Sequence, residues 1–118
     1  MHLRSFVVAT ILRFISIPGL LESSYQKCLA QELTLAGIQY RREVRVPLIY
    51  RGVDLDCAYR VDFIVEERLV IEVKSIDALL PVHTAQVLTY LRLLDLHQGL
   101  LINFNVALLK KGIRNVLR

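Results

Sequence analysis

Asp62, Glu72 and Lys74 are the residues of this sequence whose types and spacing could do chemistry. Ala58 to Val65 and Leu69 to Lys74 are apolar runs of strand composition, and the charged turn Glu66-Glu67-Arg68 between them predicts a hairpin. With Val65 opposite Leu69, antiparallel register brings Asp62 opposite Glu72, with Cβ atoms about 5 Å apart. Alternation then puts Asp62, Ile64, Val70, Glu72 and Lys74 on one face, and Val61, Phe63, Val65, Leu69, Ile71 and Val73 on the other, a pure core face. Two carboxylates set against each other on strands this apolar repel and lose hydration, so a cation is the expected neutraliser. Mg²⁺, or Mn²⁺ in its place, suits two acids at Asp62 and Glu72, because it takes few carboxylate oxygens and keeps waters that a phosphate can share. Lys74, on the same face as Glu72, can hold an attacking water and offset charge building on a phosphate. An isolated Glu-x-Lys is common by chance and usually reads as the solvated side of a hairpin, with the lysine paired to the glutamate. Here the flanking strands are apolar on both faces, so the charges interrupt positions that should be buried.

These residues need elements to carry them. Over 20–36, Leu21, Tyr25, Cys28, Leu29, Leu33 and Ala36 recur at helical spacing, Pro18-Gly19 leads in and Gly37 stops the pattern, which predicts an amphipathic helix. After Arg41-Arg42 the period becomes two, with Val44, Val46 and Leu48 alternating against Glu43, Arg45 and Pro47 up to a turn near Arg51-Gly52. That is a first strand. Ser75 to Pro81 reads as a loop, Val82 to Leu94 as a helix with Val87, Leu88, Leu91 and Leu94 on its apolar side, Gly99 to Phe104 as a buried strand, and Val106 to Leu117 as a closing basic helix. Residues 5–16 read as helix, although Val7, Val8, Thr10, Ile11 and Ile15 suit a strand as well. The resulting order, α-β-β-β-α-β-α, predicts an α/β fold in which helices flank a short mixed sheet. The expected organisation is one domain over 18–118, preceded by an apolar segment 1–17.

Bulk properties narrow the class. A chain of 118 residues has room for one core. A charged fraction of 22%, without low-complexity runs, argues against disorder. The net charge of +4 favours polyanionic partners without choosing among RNA, DNA and acidic membranes. Cys28 and Cys57 lack the paired spacing of a zinc site and read as reduced core or near-core thiols. Phe6 to Ile17 is interrupted by Arg13 and falls short of the ~20 apolar residues that span a bilayer, so no membrane span is expected. A charged start before an apolar run has the outline of a signal peptide, but no small-residue cleavage site follows, and the sequence reads as that of a cytoplasmic protein.

Gly19-Leu20-Leu21-Glu22-Ser23-Ser24-Tyr25 resembles the motif that names the GxxExxY protein family. The resemblance continues through Asp62, Glu72-Val73-Lys74, Leu79-Leu80-Pro81-Val82-His83, Gln86-Val87-Leu88-Thr89-Tyr90-Leu91 and Gly99-Leu100-Leu101-Ile102-Asn103-Phe104, and so covers roughly 18–118. That family is similar to the PD-(D/E)xK nuclease superfamily, which implies a restriction-endonuclease-like fold. It further implies that Asp62 and Glu72 bind a divalent metal, that Lys74 is catalytic, and that Glu22 approaches the site from its helix. Gln86 and Tyr90 lie on one helical face and resemble the QxxxY signature of exonuclease-like branches, where such residues line the site. The same two would also serve as a helix edge with the Tyr90 hydroxyl hydrogen-bonded. His83 shares that face and is kept as a phosphate or substrate contact. Family members usually carry a polar helix with a histidine before the turn, where this chain has Leu12 to Pro18. Its apolar surface would support self-association as a homodimer.

The expected function is divalent-metal-dependent hydrolysis of phosphodiester bonds in DNA or RNA, with Arg41, Arg42, Arg45, Lys110, Lys111, Arg114 and Arg118 as candidate phosphate contacts. The alternative is a non-catalytic nucleic-acid-binding or protein-interaction module that keeps the nuclease fold. Intact Asp62, Glu72 and Lys74 weigh against it.

Overall fold

A computed structural model of the chain describes residues 2–15 and 17–118. Its elements are helices α1 (Leu3–Phe14) and α2 (Glu22–Leu35), strands β1 (Tyr40–Tyr50), β2 (Val53–Val65) and β3 (Leu69–Lys74), helix α3 (Pro81–Leu94), strand β4 (Gln98–Asn103), a 3₁₀ turn (Leu109–Gly112) and strand β5 (Ile113–Leu117). The five strands form one sheet in the order β1-β2-β3-β4-β5. All neighbours are antiparallel except β3 and β4, which run parallel because α3 carries the chain back between them. The expected α/β architecture, a mixed sheet between helices, is present.

Helices cover both faces. Val7 and Ile11 of α1 and Tyr25, Leu29 and Leu33 of α2 pack on Phe63, Val65, Leu69, Ile71, Val73, Leu100 and Ile102. On the opposite face Val87, Tyr90 and Leu91 of α3 pack on Val46, Val61, Ile64, Val70, Leu101 and Val116. The apolar segment at the start of the chain is therefore a helix docked on α2, its β-branched residues tolerated because Val7 and Ile11 are fully buried. Of the helix expected over 5–16, Ser16 lies outside the described residues, as does Met1. Among the described residues no helix is long and apolar enough to cross a membrane.

The helix expected over Val106–Leu117 is not there, and the final α of the expected order is corrected accordingly. The chain makes a single 3₁₀ turn and then β5, which pairs with β4 from Gln98↔Leu117 to Ile102↔Ile113. Without β5, the buried strand β4 would expose a row of unpaired N–H and C=O groups. Gly112 permits the arrangement. A Cβ built there would run into the carbonyl oxygen of Asn103, so any other residue would push the turn off β4. One further reading is corrected: Cys57 is exposed in the outer half of the β1–β2 hairpin rather than near the core, while Cys28 is partly buried, and both are free thiols.

Candidate active site

The long β1–β2 hairpin changes faces partway along. Tyr40 and Phe63 join the core beneath α1 and α2, whereas Val44, Val46, Tyr59 and Val61 join the core beneath α3. Val61 is thus on the opposite face from Phe63, not on the shared core face that strict alternation predicts. The switch has a local cause. Register pairs Arg42 with Phe63 and Val44 with Val61 but leaves Glu43 and Asp62 unpaired between them, and Glu43 has φ +50°. A left-handed residue kinks the strand and resets which side chains point inward.

Asp62 sits at that switch, and the β2–β3 ladder opens beside it. Backbone pairing runs from Val65↔Leu69, as expected from the turn, to Phe63↔Ile71 and stops. Beyond that point the two carboxylates take over the missing rungs. The Asp62 N–H donates to Glu72 Oε1 at 2.9 Å, and the Val73 N–H donates to Asp62 Oδ2 at 2.8 Å. Each acid thereby satisfies a backbone donor of the facing strand with one oxygen, and its second oxygen makes no hydrogen bond among the described residues. The expectation that Asp62 and Glu72 come together across the hairpin holds.

Glu22, the first residue of α2, reaches the same place: its Oε2 accepts the Ser75 N–H at 3.3 Å, one residue past Lys74. The Ser75 hydroxyl donates to the Leu20 carbonyl at 3.2 Å, tying the end of β3 to the turn before α2. That turn is held by Tyr25, whose hydroxyl donates to the Ile17 carbonyl and accepts the Leu20 N–H while its ring stacks on Phe104 at 4.4 Å. Gly19 occupies φ +80° within it, a conformation that favours glycine. On the far side of β3, Asn103 is 1% exposed; its side chain accepts the Ile76 N–H at 3.1 Å and donates to the Ile76 carbonyl at 2.9 Å. Lys74 is consequently framed on both sides.

Burial sets the electrostatics. Glu72 is 4% exposed, and its carboxyl is pushed up to about 8, first by desolvation and then by the charge of Asp62; the Asp62 N–H and the Lys74 ammonium pull the other way. Asp62 is also raised, mainly by burial, with the Val73 N–H opposing and Glu22 adding to the rise; Lys74 lowers it and Glu43 raises it. The Tyr90 hydroxyl is raised by burial and then by the charges of Glu72 and Asp62, so α3 presents it to the same two acids from the other layer. Gln86, one turn earlier, favours ionisation of that hydroxyl. His83 stands apart from this cluster. Its Nδ1 accepts the Leu80 N–H at 2.9 Å and so holds the start of α3.

Glu22, Asp62, Glu72, Lys74, Gln86 and Tyr90 thus converge, while His83 sits at a helix start. Sequence reasoning missed Glu43, which adds negative charge beside Asp62, because it reads as an ordinary outward position in the alternating strand. It also missed Ser75, Asn103 and Tyr59, whose ring meets Tyr90 edge-on at 5.9 Å. Several expected phosphate contacts are committed elsewhere: Arg41 is bidentate to Glu67, Arg42 lies over the Phe63 ring, Arg114 donates to the Lys111 carbonyl and Arg118 pairs with Asp95.

Among the described residues no three His, Cys, Asp or Glu side chains form a ready-made metal cage. The donor set nevertheless fits a small hard cation that keeps several waters: two partly desolvated carboxylates, each with a spare oxygen. No curated protein and no solved structure matches this chain. The family model described as the PD-(D/E)XK nuclease superfamily matches residues 8–116 and speaks to the superfamily, not to the narrower GxxExxY grouping. Running from the first helix into the last strand, it takes in every residue of the carboxylate fork, and the chain belongs to the PD-(D/E)XK nuclease superfamily.

Proposed function

We propose that the chain hydrolyses phosphodiester bonds of nucleic acid, DNA or RNA, with Mg²⁺ or Mn²⁺ held by Asp62 and Glu72. The observation that carries this reading is the opened β2–β3 ladder, where two carboxylates lie tied to facing strands beside Lys74 and Glu22. Hydrogen bonds to the Asp62 and Val73 amides fix one oxygen of each acid, so the remaining oxygens are pre-oriented and little reorganisation is needed on binding. A divalent ion bound there would polarise the phosphoryl oxygen and lower the pKa of water in its shell.

The chain's own groups do the rest. Lys74, an ammonium beside two acids, orients the attacking water and offsets the negative charge that builds on the phosphate. Glu22 adds a third carboxylate from α2 and, through the Ser75 N–H, fixes the backbone next to Lys74. The Tyr90 hydroxyl keeps its proton throughout the physiological range and can donate to a phosphate oxygen, with Gln86 beside it. His83 serves as an outer substrate contact through its second ring nitrogen, the first being engaged by Leu80.

The test is incubation with Mn²⁺ and a panel of single- and double-stranded DNA and RNA, beside Lys74→Ala and Asp62→Asn. Cleavage by the parent chain that both substitutions abolish supports the reading. Identical behaviour of parent and variants removes it.

A further inference from the structure

Just outward from the carboxylate fork, the β1–β2 hairpin sets two arginines directly across from one another. Arg45 and Arg60 are register partners. Their chain neighbours Val44, Val46, Tyr59 and Val61 all turn into the core beneath α3, so alternation sends both arginines to the other side of the sheet, the side on which α1 and α2 lie. Neither is covered there; both are exposed.

Like charges directly opposite each other on an antiparallel pair are destabilising. The chain does little to relieve them. Arg45 comes no closer than 4.0 Å to Asp54, and Arg60 makes no ion pair or side-chain hydrogen bond among the described residues. Arginines elsewhere on the molecule are neutralised internally, Arg41 by Glu67 and Arg118 by Asp95. Arg60 precedes Asp62 by two residues, about 7 Å along a strand. The pair therefore lies just outward of Asp62 along the β1–β2 hairpin and faces the layer from which Glu22 reaches the fork. Two adjacent guanidinium forks match the oxygens of a phosphate diester, and an anion between them would turn their repulsion into attraction.

We propose that Arg45 and Arg60 form a phosphate-binding pair that holds the nucleic-acid backbone next to the phosphodiester lying over Asp62 and Glu72, an inference that rests on the nuclease reading above. The pair grips the backbone irrespective of base sequence. Its removal weakens binding and lowers the salt dependence of affinity together, because fewer counterions are released.

The experiment measures fluorescence anisotropy of labelled single-stranded DNA and RNA oligonucleotides with the full chain, in Ca²⁺ buffer, from 50 to 200 mM salt. Arg60→Ala should flatten the slope of log affinity against log salt by about 0.7, and the Arg45→Ala/Arg60→Ala pair by about twice that. Arg60→Glu should weaken binding further while raising Tm, since it places opposite charges face to face on the strands; this separates lost binding from lost folding. Arg68→Ala, in the exposed turn at the far end of the β2–β3 hairpin, should leave the slope unchanged. A parent chain that binds while Arg60→Ala and Arg60→Glu bind with the same affinity and slope overturns the phosphate pair and leaves the nuclease reading standing. A parent chain that binds neither oligonucleotide overturns both.

Discussion

Replacing Glu72 with glutamine changes one atom type at the fork and should make the protein more stable in alkaline solution. The carboxyl of Glu72 titrates at about 8 in the folded chain against 4.5 when unfolded. A folded value above the unfolded one means that the native state holds its proton more tightly. The associated penalty is absent below about pH 4.5, grows as pH rises, and is complete once pH passes about 8. At about 1.4 kcal/mol per unit the full penalty approaches 5 kcal/mol, and relaxation around the fork brings the expected figure to about 2–4 kcal/mol. Against a total stability on the order of 5–15 kcal/mol that is a large fraction. Glutamine keeps the side-chain oxygen that accepts the Asp62 N–H and adds an amide that can donate to Asp62, so the rung survives while the charge does not. Urea unfolding at pH 5 and pH 8.5 should therefore give similar midpoints for Glu72→Gln and parent at pH 5, with the variant more stable at pH 8.5. A parent chain equally stable at both pH values, or a variant that tracks the parent at both, refutes the reasoning.

The same field makes divalent cations stabilising: 10 mM Mn²⁺ should raise Tm of the parent more at pH 8 than at pH 5, where protons compete for the acids, and should do little for Asp62→Asn, as differential scanning fluorimetry would record. Lys74→Ala should lower the cleavage rate by about 10²-fold or more with little change in Mn²⁺ affinity from calorimetric titration, because its ammonium acts on the reacting phosphate. Tyr25→Phe removes the hydroxyl that bridges Ile17 and Leu20 and should cost about 1–2 kcal/mol in urea unfolding. Gly112→Ala, with its Cβ driven against the Asn103 carbonyl, should cost about 1–3 kcal/mol or detach β5, seen as faster amide exchange along β4.

Much of the scaffold was legible because its signals are local. The Glu66-Glu67-Arg68 turn fixes the pairing of Val65 with Leu69, and from that rung the opposition of Asp62 and Glu72 follows by counting. The helices over 22–35 and 81–94 announce themselves by apolar periodicity. What escaped depends on contacts between distant segments. Ile113 to Leu117, with Arg114 inside it and Lys110 and Lys111 just before it, reads as the end of a basic helix, yet the unmet edge of β4 claims it as a strand. The face change at Glu43 is a single left-handed residue with no glycine or asparagine to betray it, so plain alternation puts Val61 in the wrong layer. The convergence of Glu22 on Ser75 spans 53 residues, and only the resemblance to a known family pointed to it.

The double duty of the two acids complicates any attempt to dissect this protein by truncating side chains. Because Asp62 and Glu72 each cap an amide that the parted strands leave bare, cutting either back to alanine strips a hydrogen-bond acceptor from the scaffold at the same moment as it strips a ligand from the site. An inactive alanine variant would then report an unzipped fork as readily as missing chemistry. Asparagine at 62 and glutamine at 72 leave the amides satisfied, and a lineage that gave up hydrolysis could make the same exchanges and keep its shape.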